Sequence, residues 1–272
     1  MDIRKGLTGN QIKIIGIVLM TINHFSLLLY PNQNNLIIIS HFITLAGPMV
    51  APTFFFLGAD GFHYTRNKKK YLLTLLIGFW ITSLMKFILT TTLDLDIDYQ
   101  NMLFMNIFGG LFQAALAMYL YDKIKIALSQ KRATQILLYI CMLLSVLGSM
   151  FIVFSLVTTP TLLSISVNVL PLVVEGAPIL PILGLLLYIC REKKWLQIII
   201  ALVYLLPTSI SDLLANGLSG TAWPALLFLI PVIFYNGKRG AGPNKYFFYA
   251  YYPSHIAVFI LLNYYIFQHL YF

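Results

Sequence analysis

Apolar residues in this chain come in long runs broken by short polar stretches. A helix crosses the apolar core of a bilayer in about 20 residues. Nine runs meet or approach that length, at roughly 12–30, 36–64, 71–93, 100–121, 133–158, 169–190, 195–211, 219–236 and 246–268. The pattern predicts an all-α fold, a polytopic membrane helix bundle with about nine transmembrane helices and short loops. The second run is long for one span and is interrupted by Gly47-Pro48 and Ala51-Pro52. Proline removes a helix hydrogen bond, so a kinked or broken helix is expected there.

Composition supports the same class. Apolar residues make up 59% of the 272 and charged ones 10%, too few to clothe a soluble globule, where roughly a quarter are charged. Disorder is excluded because polar and low-complexity stretches are absent. The basic start of the chain has no small-residue cleavage site after it, so the first run is read as an uncleaved span.

The net charge of +9 would point to nucleic acid in a soluble protein. Here it sorts by side. With the N-terminus inside and each span reversing the side, 17 of the 18 Lys and Arg residues fall inside, and Asp94, Asp96, Asp98 and Asp212 fall outside. This bias predicts a cytoplasmic N-terminus and an outer C-terminus. Membrane lipid is the expected partner, and nucleic acid is not. Cys141 and Cys190 sit in apolar runs and are expected to be buried packing residues. Aromatics near run ends, among them Tyr99, Tyr235 and Tyr246, fit interfacial belts.

Ionisable groups inside spans are costly and often functional. Five stand out: His24, Asp60, Lys86, Glu175 and His255. By helical rise, His24 lies about 16 Å past Lys13 and His255 about 15 Å past Lys245, both near mid-membrane. They line one cavity or are two separately satisfied histidines. Lys86 and Glu175 share a depth of about 24 Å. They are candidates for a structural ion pair, with an outer substrate cleft as the alternative role of Glu175.

At the inner end of the second run, Asp60, His63 or Tyr64, and Asn67 would share one helix face, followed by Arg66, Lys68, Lys69 and Lys70. A second basic loop is Asn236-Gly237-Lys238-Arg239-Gly240. Either is a positive-inside anchor or a site for a phosphate-bearing cytosolic ligand, with glycines that let backbone N–H groups approach it. The spacing is not that of a P-loop. No metal site is expected, since the histidines and cysteines lack ligand spacing.

The blocks LTGNQIKIIGIVLMTINHF, FFFLGADGFHYTRNKKKYLLTLL, NMLFMNIFGG, FYNGKRG and KYFFYAYYPSHIAVFILL follow one another across nearly the whole chain. Together, and in this order, they resemble the blocks of the TraX family of membrane proteins. The resemblance implies a single TraX-like transmembrane acyltransferase domain over 1–272, multi-pass in a bacterial plasma membrane. It implies transfer of an acetyl group from cytosolic acetyl-CoA to an amine or hydroxyl of a peptide or pilin N-terminus, a glycan or a lipid. In that reading Arg66, Asn67, Lys68, Lys69, Asn236, Lys238 and Arg239 hold the donor's phosphates. Asp60 with His63 or Tyr64 guides the thioester. His24, beside Asn23, is base or nucleophile. Tyr252 and His255 orient the thioester or stabilise the oxyanion, and Glu175 and Lys86 face the acceptor. The family's Asp-His pair is Asn23-His24 here, Pro48 and Ala51 stand where an arginine is usual, and Glu175-Gly176 replaces an Asp-x-Gly. Two rival functions are a non-catalytic membrane partner in peptide export or immunity, and a small-molecule or lipid transporter.

Overall fold

The computed structural model describes residues 6–29, 37–95, 97–103 and 106–268. Arg4, Lys5, Asp96 and the Phe104-Met105 part of the fourth-run block lie outside them. Among the described residues every regular element is helical, and a single isolated bridge joins Leu7 to Tyr235.

Helices occupy each of the nine expected runs. In order they are α1 (Gly9–Leu29), α2 (Ile37–Ala46), α3 (Val50–Tyr64), α4 (Lys68–Thr92), α5 (Ile97–Met102), α6 (Ile107–Ser129), α7 (Ala133–Leu147), α8 (Ser149–Leu156), α9 (Pro160–Asn168), α10 (Ile179–Ile189), α11 (Lys194–Asn216), α12 (Leu229–Phe234) and α13 (Lys245–Asn263). A 3-10 stretch, Trp223–Phe228, runs into α12, and a π turn, Tyr264–Gln268, follows α13.

Among the described residues four helical segments are long and apolar enough to cross a membrane: Gly9–Leu29, His41–Tyr64, Lys68–Thr92 and Lys194–Ser219. Ala133–Leu147 and Ser149–Leu156, bent by 67° at Gly148, make a fifth if counted as one span. The other expected runs hold shorter or more polar helices. The run at 169–190, for one, becomes helical only at Ile179, so Glu175 stands in a non-helical stretch.

These helices turn apolar residues outward as well as inward. On α4 the exposed positions include Leu73, Ile77, Trp80, Ile81, Leu84, Phe87 and Ile88, a helical stripe, whereas Thr82, Ser83 and Lys86 are buried. On α1 the exposed stripe is Ile14, Ile15, Val18, Ile22 and Phe25, and Asn10 is buried. Water would penalise such apolar stripes. Lipid accepts them, and in lipid the polar groups must be satisfied inside. This is a membrane protein's surface. It also explains Cys141, which is exposed on α7, a helix that buries none of its residues; Cys190 is half-buried. Neither is the buried packing residue expected. Tyr99 departs the other way. It is fully buried and donates its hydroxyl to the Leu27 carbonyl at 3.0 Å, so it is no belt residue.

The second run is two helices. Residues 47–49 form a turn, and Pro48 lies in it, outside both helices. Pro52 falls in the first turn of α3, where no intrahelical N–H bond is lost. The Asn23 carboxamide lies against Gly47, and a Cβ there would come within 2.5 Å of its Nδ2.

The chain forms two compact units. The first is Met1–Leu57, Met85–Leu103 and Lys194–Phe272; the second is Gly58–Leu84 and Phe104–Lys193. In the first, α1 packs against α2 and α13, and α11 against the Trp223–Phe228 stretch and α12. Phe56 meets Phe228 and Tyr235 edge-on in its core. In the second, α6 packs against α7 and α10. Buried Asn106 caps α6 through the Phe108 N–H and donates to Phe79 O and Ser83 Oγ. Buried Gln113 donates to Ser149 Oγ and to the carbonyls of Pro171 and Leu172.

Candidate active site

Helix α1 carries the site and is held at both ends. A helix leaves four N–H groups and four carbonyls unpaired at its termini, and in an apolar medium each is costly. At the start, Thr8 and Gln11 form a capping box: the Thr8 N–H donates to Gln11 Oε1 at 2.9 Å and the Gln11 N–H to Thr8 Oγ1 at 3.4 Å. The Gly9 and Asn10 N–H groups donate to the carbonyls of Lys238 and Arg239, at 2.8 and 2.9 Å. At the far end, Tyr99 caps the Leu27 carbonyl and Asn263 the Leu28 carbonyl, each at 3.0 Å.

On this clamped helix His24 faces α13. Its Nδ1 lies 2.7 Å from Nε2 of His255. The ring centres are 5.0 Å apart and the planes differ by 20°. A hydrogen bond of that length between ring edges accounts for such a separation, so the imidazoles meet edge to edge, nearly coplanar. His255 Nδ1 in turn lies 2.8 Å from the Tyr251 carbonyl. Both nitrogens of His255 are therefore engaged.

Aromatic rings surround the pair. Tyr251 lies parallel to His255, 5.0 Å between centres and 17° between planes. Buried Tyr252 meets both imidazoles edge-on, at 6.1 and 5.8 Å. One turn further on, Phe259 touches His255 and Phe25. The Tyr251 hydroxyl reaches across to Thr21 Oγ1 at 2.6 Å. Lys86 is buried, donates to the Leu103 carbonyl at 2.9 Å, and lies near enough for its charge to act on both histidines.

Of the expected site residues the structure thus brings together His24, His255, Tyr252 and Lys86. Asn23, one residue from His24, turns to Gly47. The partner of His24 is His255. Tyr251 and Thr21 were not among the expected residues. Their spacing held a signal, since Tyr251 is four before His255 and Thr21 three before His24, and such pairs share a helix face.

The basic loop after α12 belongs to the same unit. Asn236 Oδ1 accepts from the Lys238 N–H at 3.0 Å, while Lys238 and Arg239 expose their side chains. Gly237 and Gly240 both have left-handed φ, +73° and +74°. A Cβ on Gly237 would meet nothing, whereas one on Gly240 would collide with Thr8. Gly240 lets the loop dock on the start of α1.

In the second unit Asp60, His63, Arg66, Asn67, Lys68 and Lys69 do not form one helix face. Helix α3 ends at Tyr64, and Asn67 caps α4 by accepting from the Lys70 N–H at 2.9 Å. Lys68 turns back so that its ammonium binds the Phe62 and His63 carbonyls and lies over the Phe62 ring. Arg66 and Lys69 are exposed, as is Tyr64. His63 lies between the Tyr64 and Tyr188 rings, within reach of the Asp60 charge. Tyr188 donates its hydroxyl to Asp122. Glu175 is half-buried.

No curated protein and no solved structure matches this chain. The clamped first helix, the second-run block, the basic loop and the histidine of the last helix all fall within residues 8–263, which match a family model described as TraX protein, and the chain belongs to the TraX family.

Proposed function

We propose that this protein is a membrane acetyltransferase that moves an acetyl group from cytosolic acetyl-CoA to an amine or hydroxyl of a membrane-associated or exported acceptor. The observation that carries this reading is the hydrogen-bonded His24–His255 pair on α1 and α13. Association of the TraX family with pilin acetylation supports it. A pair of histidines in an apolar setting is suited to taking up and returning one proton, the task of acyl transfer.

The proposed step is as follows. The acceptor's N–H or O–H gives its proton to His24 as the acceptor atom attacks the thioester carbonyl. The C–S bond then breaks, and the departing thiolate takes the proton from His24 to give free coenzyme A. His255, with both nitrogens engaged, orients His24; it has no N–H left for an oxyanion. Buried Lys86 is the cation proposed to stabilise negative charge developing on the carbonyl oxygen. The donor's phosphates are proposed to meet Lys238 and Arg239, whose loop is docked on the start of α1. From there to His24 is about 22 Å by helical rise, a distance suited to an extended pantetheine arm. Arg66 and Lys69, exposed in the second unit, are separate candidates for an anionic ligand. The proposed topology is nine spans with the N-terminus cytoplasmic and the C-terminus outside, in a bacterial plasma membrane.

The family's Asp-His pair becomes Asn23-His24 here without weakening this reading, because the side chain at 23 packs on Gly47.

The test is acetyl-CoA binding and turnover with the purified protein in nanodiscs. Binding is expected, and Arg239→Ala should weaken it. His24→Ala should abolish transfer while leaving acetyl-CoA binding nearly unchanged. No binding at millimolar acetyl-CoA, or full turnover by His24→Ala, would overturn the proposal.

A further inference from the structure

The hydrogen bonds around the histidine pair leave little freedom in where its protons sit. A carbonyl only accepts, so the bond to the Tyr251 carbonyl requires the proton of His255 to be on Nδ1. A neutral imidazole has one N–H. His255 Nε2 is then a bare lone pair, and the 2.7 Å bond to it requires the proton of His24 to be on its Nδ1. His24 Nε2 is left unprotonated. Among the described residues no protein group bonds to it.

The same logic orients Tyr251. Thr21 Oγ1 donates its one proton to the Ile17 carbonyl at 2.8 Å. In the 2.6 Å contact the Tyr251 hydroxyl must therefore be the donor. Tyr251 thus touches the pair in three ways: its carbonyl holds His255 Nδ1, its ring covers the His255 face, and its hydroxyl is tied to α1 one turn before His24. The last of these bridges α13 to α1. It sets the rotation and axial register of one helix against the other, and hence whether the two imidazole edges meet in one plane.

Resting on the acetyltransfer reading for its kinetic arm alone, we propose that Tyr251 is a positioning residue which, through Thr21, holds the histidine relay in a single tautomer and makes Nε2 of His24 the nitrogen that takes the acceptor's proton. Tyr252 meets both imidazoles with the edge of its ring.

The experiment is ¹⁵N-histidine NMR of the full chain in nanodiscs at mildly alkaline pH, where imidazoles are neutral, with His24 and His255 assigned by single replacements. In the unaltered protein a proton on His24 Nδ1, bonded to His255, and a bare His24 Nε2 are expected. Tyr251→Phe keeps ring and carbonyl and removes only the hydroxyl; Thr21→Val removes its acceptor. Each should erase the fixed Nδ1 proton and give a mixture of tautomers, and Thr21→Ser should restore the original spectrum. In turnover, Tyr251→Phe and Thr21→Val should lower kcat about tenfold with KM for acetyl-CoA unchanged, and Thr21→Ser should recover it. A His24 protonated at Nε2, tautomers already mixed in the unaltered protein, or an unchanged spectrum in Tyr251→Phe overturns the proposal. Absence of turnover in the unaltered protein overturns the acetyltransferase reading instead, and the nitrogen spectra still decide the positioning role.

Discussion

Gly237 and Gly240 have the same left-handed backbone within one loop and different surroundings. For any residue with a Cβ this conformation costs roughly 1–2 kcal/mol. Gly237→Ala should lose about that much, because its Cβ would stand in open space. Gly240→Ala should lose a further 1–3 kcal/mol or so from overpacking against Thr8. Comparing the folded fraction of the two variants on heating in detergent checks the order. Equal losses would mean that the loop does not dock on α1 as described. The same residue-scale view separates Asn23 from His24. Adjacent helical positions point in different directions, so one serves the turn at Gly47 while its neighbour serves the histidine pair.

At the scale of the element, α1 stands out because its terminal groups are satisfied by other parts of the chain. The start is held by the loop that bears Lys238 and Arg239, and the end by Tyr99 and Asn263. A helix pinned in this way keeps His24 at a fixed height, which a catalytic geometry requires. Tyr99→Phe removes one hydroxyl and leaves the buried Leu27 carbonyl without that donor, at a cost of about 1–3 kcal/mol. A lowered thermal midpoint in detergent is expected. No change would show that α1 is held without Tyr99. Helix α4 turns an apolar stripe outward and buries Thr82, Ser83 and Lys86 together with Leu75 and Phe79.

At the scale of the whole molecule the topology follows from which helices cross. Among the described residues four helical segments are long and apolar enough, and the bent α7–α8 pair adds a fifth. The nine-span proposal adds helices such as α6, which separates the acidic stretch around Asp94 from the basic stretch around Lys131. A Cys141→Ser, Cys190→Ser background with Asp94→Cys or Gln130→Cys decides this. A membrane-impermeant maleimide on intact cells should label Asp94→Cys at once and Gln130→Cys only after lysis. Labelling of both from one side would mean that α6 does not cross, and the reverse order would invert the topology.

By itself the sequence determined the all-helical membrane class, which runs hold helices, and the family. These follow from local quantities: run length, charge by side, and motif order. The Thr8–Gln11 capping box was not among the expectations, although it is local too, since that bond spans three residues. Helical rise put His24 and His255 at similar heights on their helices, and so raised the possibility that they meet. Tertiary structure decided the rest. A 231-residue separation between His24 and His255 leaves no local trace of which ring edges meet. Local spacing puts Tyr251 on the helix face of His255, but it does not show that Asn23 turns to Gly47, that Lys68 folds back on α3, or that Tyr99 goes inside. Each of these depends on which face of a helix another helix covers. In a chain whose lipid-facing and core-facing surfaces are both apolar, the hydrophobic pattern carries almost no information about that choice.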